Sequence, residues 1–63
     1  MIKIGQIWLI PLNNEEIKLI IHKPCLNADY DPNYLGWHCL RPDGSSIDVA
    51  TRWIESHGRL LVY

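Results

Sequence analysis

Histidines and cysteines at spacings typical of metal ligands form the first candidate site in this sequence. His22 and Cys25 are separated by two residues, and His38 and Cys39 follow as neighbours. Imidazole and thiolate groups are the common protein ligands of zinc. Adjacent residues of a strand point to opposite faces, however, so His38 and Cys39 cannot easily bind one ion. We therefore predict no metal site and no cofactor, and we expect both cysteines to be free thiols.

Combinations of side chains that could carry out catalysis are the second candidate site. A cysteine with a nearby histidine and aspartate could supply a nucleophile and its base, and Asp29, Asp31 and His38 could transfer protons. No spacing in the chain selects such a combination. A domain of this size also has little room for a closed pocket of about 300 Å³ or more. We predict that the protein is not an enzyme.

Aromatic and acidic side chains lie together in the segment between residues 23 and 36, which is predicted to be a long loop between two strands. Loops of this length are uncommon in compact domains and are often functional. Aromatic residues are enriched at protein–protein interfaces. We therefore predict that a partner protein binds here. The predicted contact residues are Asp29, Tyr30, Asp31, Tyr34 and Trp37.

The tryptophans are assigned different roles. Trp8 and Trp53 are predicted to fill the core, because a small barrel needs large side chains to pack its interior. Trp37 shares a strand face with Cys39 and Arg41, and this face would suit a binding surface if it points outward.

Short apolar segments separated by turn residues must position these groups, and they predict one all-β domain over residues 1–63. The expected strands are 4–11, 16–22, 36–41, 46–50 and 59–63, with a helical turn at 51–57. The first strand is apolar on both faces and is expected to be the most central one. This order of four strands, a helical turn and a fifth strand resembles that of SH3-like barrels. The predicted fold is therefore a small five-stranded SH3-like barrel with a short helical turn before the last strand.

An α+β fold with one helix at 46–57 is the alternative. Ser45 and Asp48 have the spacing of a capping box, and Gly58 could form the C-cap. The alternation of Ile47, Asp48 and Val49 after a strong turn signal favours a strand instead.

Two motifs resemble those of known proteins. The opening Gly5-Gln6-Ile7-Trp8-Leu9-Ile10 and the closing Trp53-Ile54-x-x-x-Gly58-x-Leu60 resemble small SH3-like barrel proteins of phages and prophages, over most of the chain. This resemblance implies a small regulatory or accessory protein, such as an inhibitor or an assembly subunit. The first strand alone is also similar to MazF-type endoribonuclease toxins. Those toxins carry an Arg-Pro before their second core strand, and residues 15–21 contain none.

The charge balance disfavours one class of partner. Six Lys and Arg residues, dispersed along the chain, face seven Asp and Glu residues, for a net charge of −1. Binding to a nucleic-acid backbone usually needs a basic excess. A nucleic-acid-binding barrel that uses aromatic stacking is therefore the alternative function, and a toxin-like endoribonuclease is the third.

The remaining predictions concern location and partners. The N-terminus lacks the pattern of a signal peptide, no apolar run approaches the ~20 residues of a membrane span, and two cysteines do not make a secreted disulfide framework. We therefore expect a cytoplasmic protein. The last strand, 59–63, has no internal Pro or Lys to protect its edge, so it could support a homodimer. The leading prediction is a non-catalytic protein-binding module.

Overall fold

Residues 2–26 and 35–63, the part of the chain that the computed structural model describes, form one antiparallel sheet of five strands and one short helix. The strand order across the sheet is β4-β3-β2-β1-β5. The predicted small, barrel-like all-β fold is confirmed. Because residues 46–50 form a strand, the α+β alternative is wrong. The elements are β1 (Ile7–Leu12), β2 (Glu15–Leu26), β3 (Leu35–Leu40), β4 (Ser46–Ala50), α1 (Thr51–His57) and β5 (Arg59–Val62).

Tight turns join neighbouring strands. Between β1 and β2, Asn13 and Asn14 both have positive φ, 49° and 66°. This is the backbone of a type I′ turn, which asparagine tolerates and which matches the twist of a hairpin. Between β3 and β4, Gly44 adopts a φ of 92°, and the Ser45 N–H donates to the Asp43 carboxylate at 2.9 Å. A hydrogen bond from the Ser45 hydroxyl to the same carboxylate, together with this backbone one, lowers the pKa of Asp43.

The central strand is β2, not β1 as predicted. In the order β4-β3-β2-β1-β5, β2 is the third of five strands, whereas β1 is next to the edge strand β5. β2 is also longer than expected: residues 23–26, predicted as loop, continue the strand. Proline cannot donate a ladder hydrogen bond and is tolerated where one side of a strand is open. The pairing of β1 with β2 covers Glu15–Ile20 only, so Pro24 lies beyond it and has β3 alone as a neighbour.

One face of the sheet, called here the inner face, packs against helix α1. The fully buried side chains of the core between them are Ile10, Leu19, Ile21, Cys39 and Ile54. Burial of this kind contributes roughly 1.5–3 kcal/mol for each large aliphatic side chain. The helix contributes Ile54 to this core and ends where Gly58 donates its N–H to the Ile54 carbonyl at 2.8 Å.

Of the two tryptophans predicted to fill the core, one is buried and the other is exposed. Trp8 is buried in the core cluster, so that prediction is confirmed. Trp53 is 39% exposed, so that prediction is wrong. The reason is geometric: a helix that turns Ile54 into the core must turn the preceding residue away from it.

In the part of the chain that is described, no helix has the length and hydrophobicity to cross a membrane.

Candidate binding groove

Trp37 lies on the inner face of β3, two residues from the buried Cys39. It pairs in register with Pro24 of β2 and with Val49 of β4. Its side chain packs against the core cluster but is only partly buried. The sequence left open whether this face points outward, and in the structure it is the inner face. Trp37 closes one end of the core, where β2 and β3 extend past β1.

A groove of about 260 Å³ opens beside this indole. It lies between the paired ends of β2 and β3, the first turns of α1 and the N-terminal segment. Thr51 and Glu55 line it from α1, because residues four apart share one helix face. Ile2, which is buried, also lines it. We call this site the Trp37 groove, and the described residues lining it are Ile2, Pro24, Cys25, Leu35, Gly36, Trp37, Thr51 and Glu55.

The lining is mainly apolar, with one carboxylate among the described residues that form it. Leu35, which begins β3 at the wall of the groove, is 61% exposed. The Glu55 side chain is also exposed. Pockets for small molecules usually measure about 300–1,000 Å³. The Trp37 groove is therefore better matched to one or two side chains of a larger partner.

The sequence predicted only part of this site. Trp37 lines the groove, while the other four predicted contact residues, Asp29, Tyr30, Asp31 and Tyr34, lie outside the described residues. Ile2, Leu35 and Glu55 were not predicted, because residues from three separate parts of the chain meet only in the folded protein. The four-residue spacing of Thr51 and Glu55 within a predicted helical turn was the one available signal.

The two cysteines are both free and differ in environment. Cys25 is partly buried and lines the groove. Cys39 is fully buried, and its burial, together with the negative charge of Asp48, raises the pKa of its thiol to about 11. Because the thiolate is the reactive species, Cys39 is a poor nucleophile at neutral pH.

The histidines lie away from the groove. His38 is on the face opposite Cys39, the outer face, where its Nδ1 is hydrogen-bonded to Asp48 Oδ1. The prediction that His38 and Cys39 point to opposite faces is therefore confirmed. The ring of His22 lies 6.1 Å from that of His38, centroid to centroid. Within residues 2–26 and 35–63, no group of three or more His, Cys, Asp or Glu side chains is arranged to hold a metal ion.

Trp53, on α1, is a second partly exposed tryptophan. The ring of Trp53 stacks on that of His57, one turn later, with centroids 3.9 Å apart. Its Nε1–H donates to the Pro11 carbonyl at 3.0 Å, which ties α1 to the end of β1. These two contacts hold the indole against the protein, while 39% of Trp53 stays exposed.

No protein-family model, no curated protein and no solved structure matches this chain. The fold and the groove define a small barrel-like all-β protein with an aromatic groove at one end of its sheet.

Proposed function

We propose that this protein is a non-catalytic protein-binding module, a small regulatory or accessory protein of the phage or prophage type that acts in the cytoplasm. The observation that carries the proposal is the Trp37 groove. A tryptophan lies half-buried there at the wall of an open apolar groove, with a largely exposed leucine beside it.

The packing of Trp37 supports a role as an interface anchor. Binding energy at protein interfaces concentrates in a few residues, and tryptophan is prominent among them. Because Trp37 is held by the core on one side, little side-chain entropy would be lost when a partner covers the other side. Leu35 would then be buried by the partner, which converts its exposed apolar surface into binding energy.

The chemistry of the groove suggests what the partner presents. An apolar side chain would fill the space beside Trp37, and a Lys or Arg next to it would reach the exposed Glu55. Asp29 and Asp31, two further predicted contact residues, lie outside the described residues. A basic group of the partner would be complementary to the Glu55 carboxylate and would favour faster association.

Two features support a binding role over catalysis. The groove is smaller than the usual small-molecule site. The buried cysteine has its pKa raised, whereas a catalytic thiol needs it lowered.

The experiment is a tagged pull-down from the native cell, with protein and nucleic acid in the eluate both identified. We expect a stoichiometric protein partner that is retained at moderate salt. Leu35→Asp should abolish its capture, whereas Val62→Asp should not. The two residues have similar exposure, 61% and 51%, and Val62 lies away from the groove in β5. Recovery of nucleic acid alone, lost as salt rises, would overturn the proposal in favour of stacking on the aromatic side chains.

A further inference from the structure

A β-bulge on the outer face places two residues of β2 opposite His38. Ile21 pairs with Cys39 and Lys23 pairs with His38, so His22 is the extra residue between them. Bulges re-aim side chains and are common beside functional sites. Here the bulge brings the exposed His22 ring to 6.1 Å from the His38 ring, with the ring planes inclined by 51°.

The ring of His38 is fixed from the other side. Asp48 is its register partner on β4, and Asp48 Oδ1 is bonded to His38 Nδ1. An ionised carboxylate can only accept, so Nδ1 carries the proton and donates it. In the neutral ring, Nε2 is then left with a free lone pair. A carboxylate that holds the far nitrogen of a histidine is the usual means of orienting a metal-binding imidazole and increasing its basicity.

The separation of the two rings fits a shared ion. A nitrogen ligand lies about 2.0–2.1 Å from zinc, so two imidazoles on one ion have centroids roughly 5–6 Å apart. The observed separation is 6.1 Å, and His22 is exposed and free to adjust its rotamer. We propose that His22 and His38 bind one divalent late transition-metal ion, with Asp48 as a positioning residue. Imidazole suits copper, nickel and zinc, and Cu²⁺ should bind more tightly than Zn²⁺.

The remaining coordination positions would be open to water or to a donor from another molecule. Lys23 pairs with His38, so its positive charge would repel a metal ion bound there. Removing this charge should therefore strengthen binding. The site lies on the outer face and the Trp37 groove is lined from the inner face, so each proposal can fail without the other.

Titration calorimetry of the untagged protein with ZnCl₂ and CuCl₂ tests the proposal, with MgCl₂ as the negative control. We expect binding of one Zn²⁺ or Cu²⁺ per chain and none of Mg²⁺. His22→Asn and His38→Asn should each weaken binding at least tenfold, and Asp48→Asn should weaken it about 10- to 100-fold. Lys23→Gln should strengthen it.

His57→Asn is the matched control, because it removes another candidate ligand by the same substitution and should leave the metal affinity unchanged. Backbone amide NMR spectra of each variant establish that the fold is retained, and the imidazole signals of His22 and His38 should shift on addition of Zn²⁺. The proposal is overturned if Zn²⁺ and Cu²⁺ do not bind, or if both histidine variants bind as the wild type does.

Discussion

The indole Nε1–H of Trp8 donates a hydrogen bond to the side-chain oxygen of Gln6 at 3.0 Å, inside the folded protein. The same oxygen accepts the backbone N–H of Lys3 at 2.8 Å. Gln6 is 5% exposed, the buried polar side chain among the described residues. One amide oxygen thus satisfies the indole and fixes the N-terminal segment. This gives a physical reason for a glutamine two residues before a buried tryptophan at the start of the first strand.

Gln6→Leu should destabilise the protein by about 1–3 kcal/mol, because it leaves the buried Trp8 Nε1–H without an acceptor. Urea unfolding followed by tryptophan fluorescence measures the change. Ser56→Ala, an exposed position in α1, is the control and should stay within about 0.5 kcal/mol of the wild type. Equal stability of the Gln6→Leu and Ser56→Ala variants would show that the hydrogen bond contributes nothing.

Gly58→Ala should destabilise the protein by about 1–3 kcal/mol through overpacking. Its φ of −80° suits any residue, so backbone strain is not the reason. A Cβ at this position would lie 2.5 Å from the Ile54 carbonyl oxygen and 3.1 Å from Trp8 Cε3. Thermal unfolding compared with the wild type is the measurement. A melting temperature unchanged by the substitution would mean that the backbone at residue 58 can shift away from the Ile54 carbonyl and from Trp8 without loss.

The buried thiol of Cys39 should make stability fall at alkaline pH. The unfolded chain loses this proton near pH 9.0, whereas the folded protein keeps it until about pH 11. The unfolded state therefore gains relative stability as the pH rises between these values, and the fold loses roughly 2–3 kcal/mol. Below pH 9 the contribution is fully present.

Comparison with Cys39→Ala isolates this effect from other groups that titrate in the same range. The difference in unfolding free energy between the wild type and the variant should shrink from pH 8 to pH 11, measured with a metal chelator present. A difference that stays constant across this range would contradict the assignment.

At neutral pH, a thiol reagent should modify Cys25 well before Cys39, since Cys25 is only partly buried.

Local signals were enough to predict much of this fold. The Asn13-Asn14 and Pro42-Asp43-Gly44-Ser45 turns carry their own backbone preferences. The alternation through 46–50 placed β4 correctly. What the local pattern missed depends on the sheet as a whole. Pro24 looks like the end of a strand, but it continues β2 because β1 does not reach that far.

The Trp37 groove was harder to predict than the fold, because it too depends on how the elements pack together. Trp37 was identified by residue type, but the face it occupies follows from the burial of Cys39. Trp53 was predicted to lie in the core because of its size. Its exposure depends instead on the orientation of α1, which points Ile54 into the core and therefore turns Trp53 away from it. A groove built from the N-terminus, two strand ends and a helix has no signature in any one of them.

The central claim is that the Trp37 groove binds a protein partner, and the most direct test is the partner's affinity for two matched variants. With the captured partner, Leu35→Asp should weaken binding at least tenfold, because a carboxylate would replace the apolar surface at the groove and lie near Glu55. Val62→Asp, which adds the same charge away from the groove, should leave the affinity within a factor of two. Equal affinities for the two variants, with both folds intact, would contradict the account.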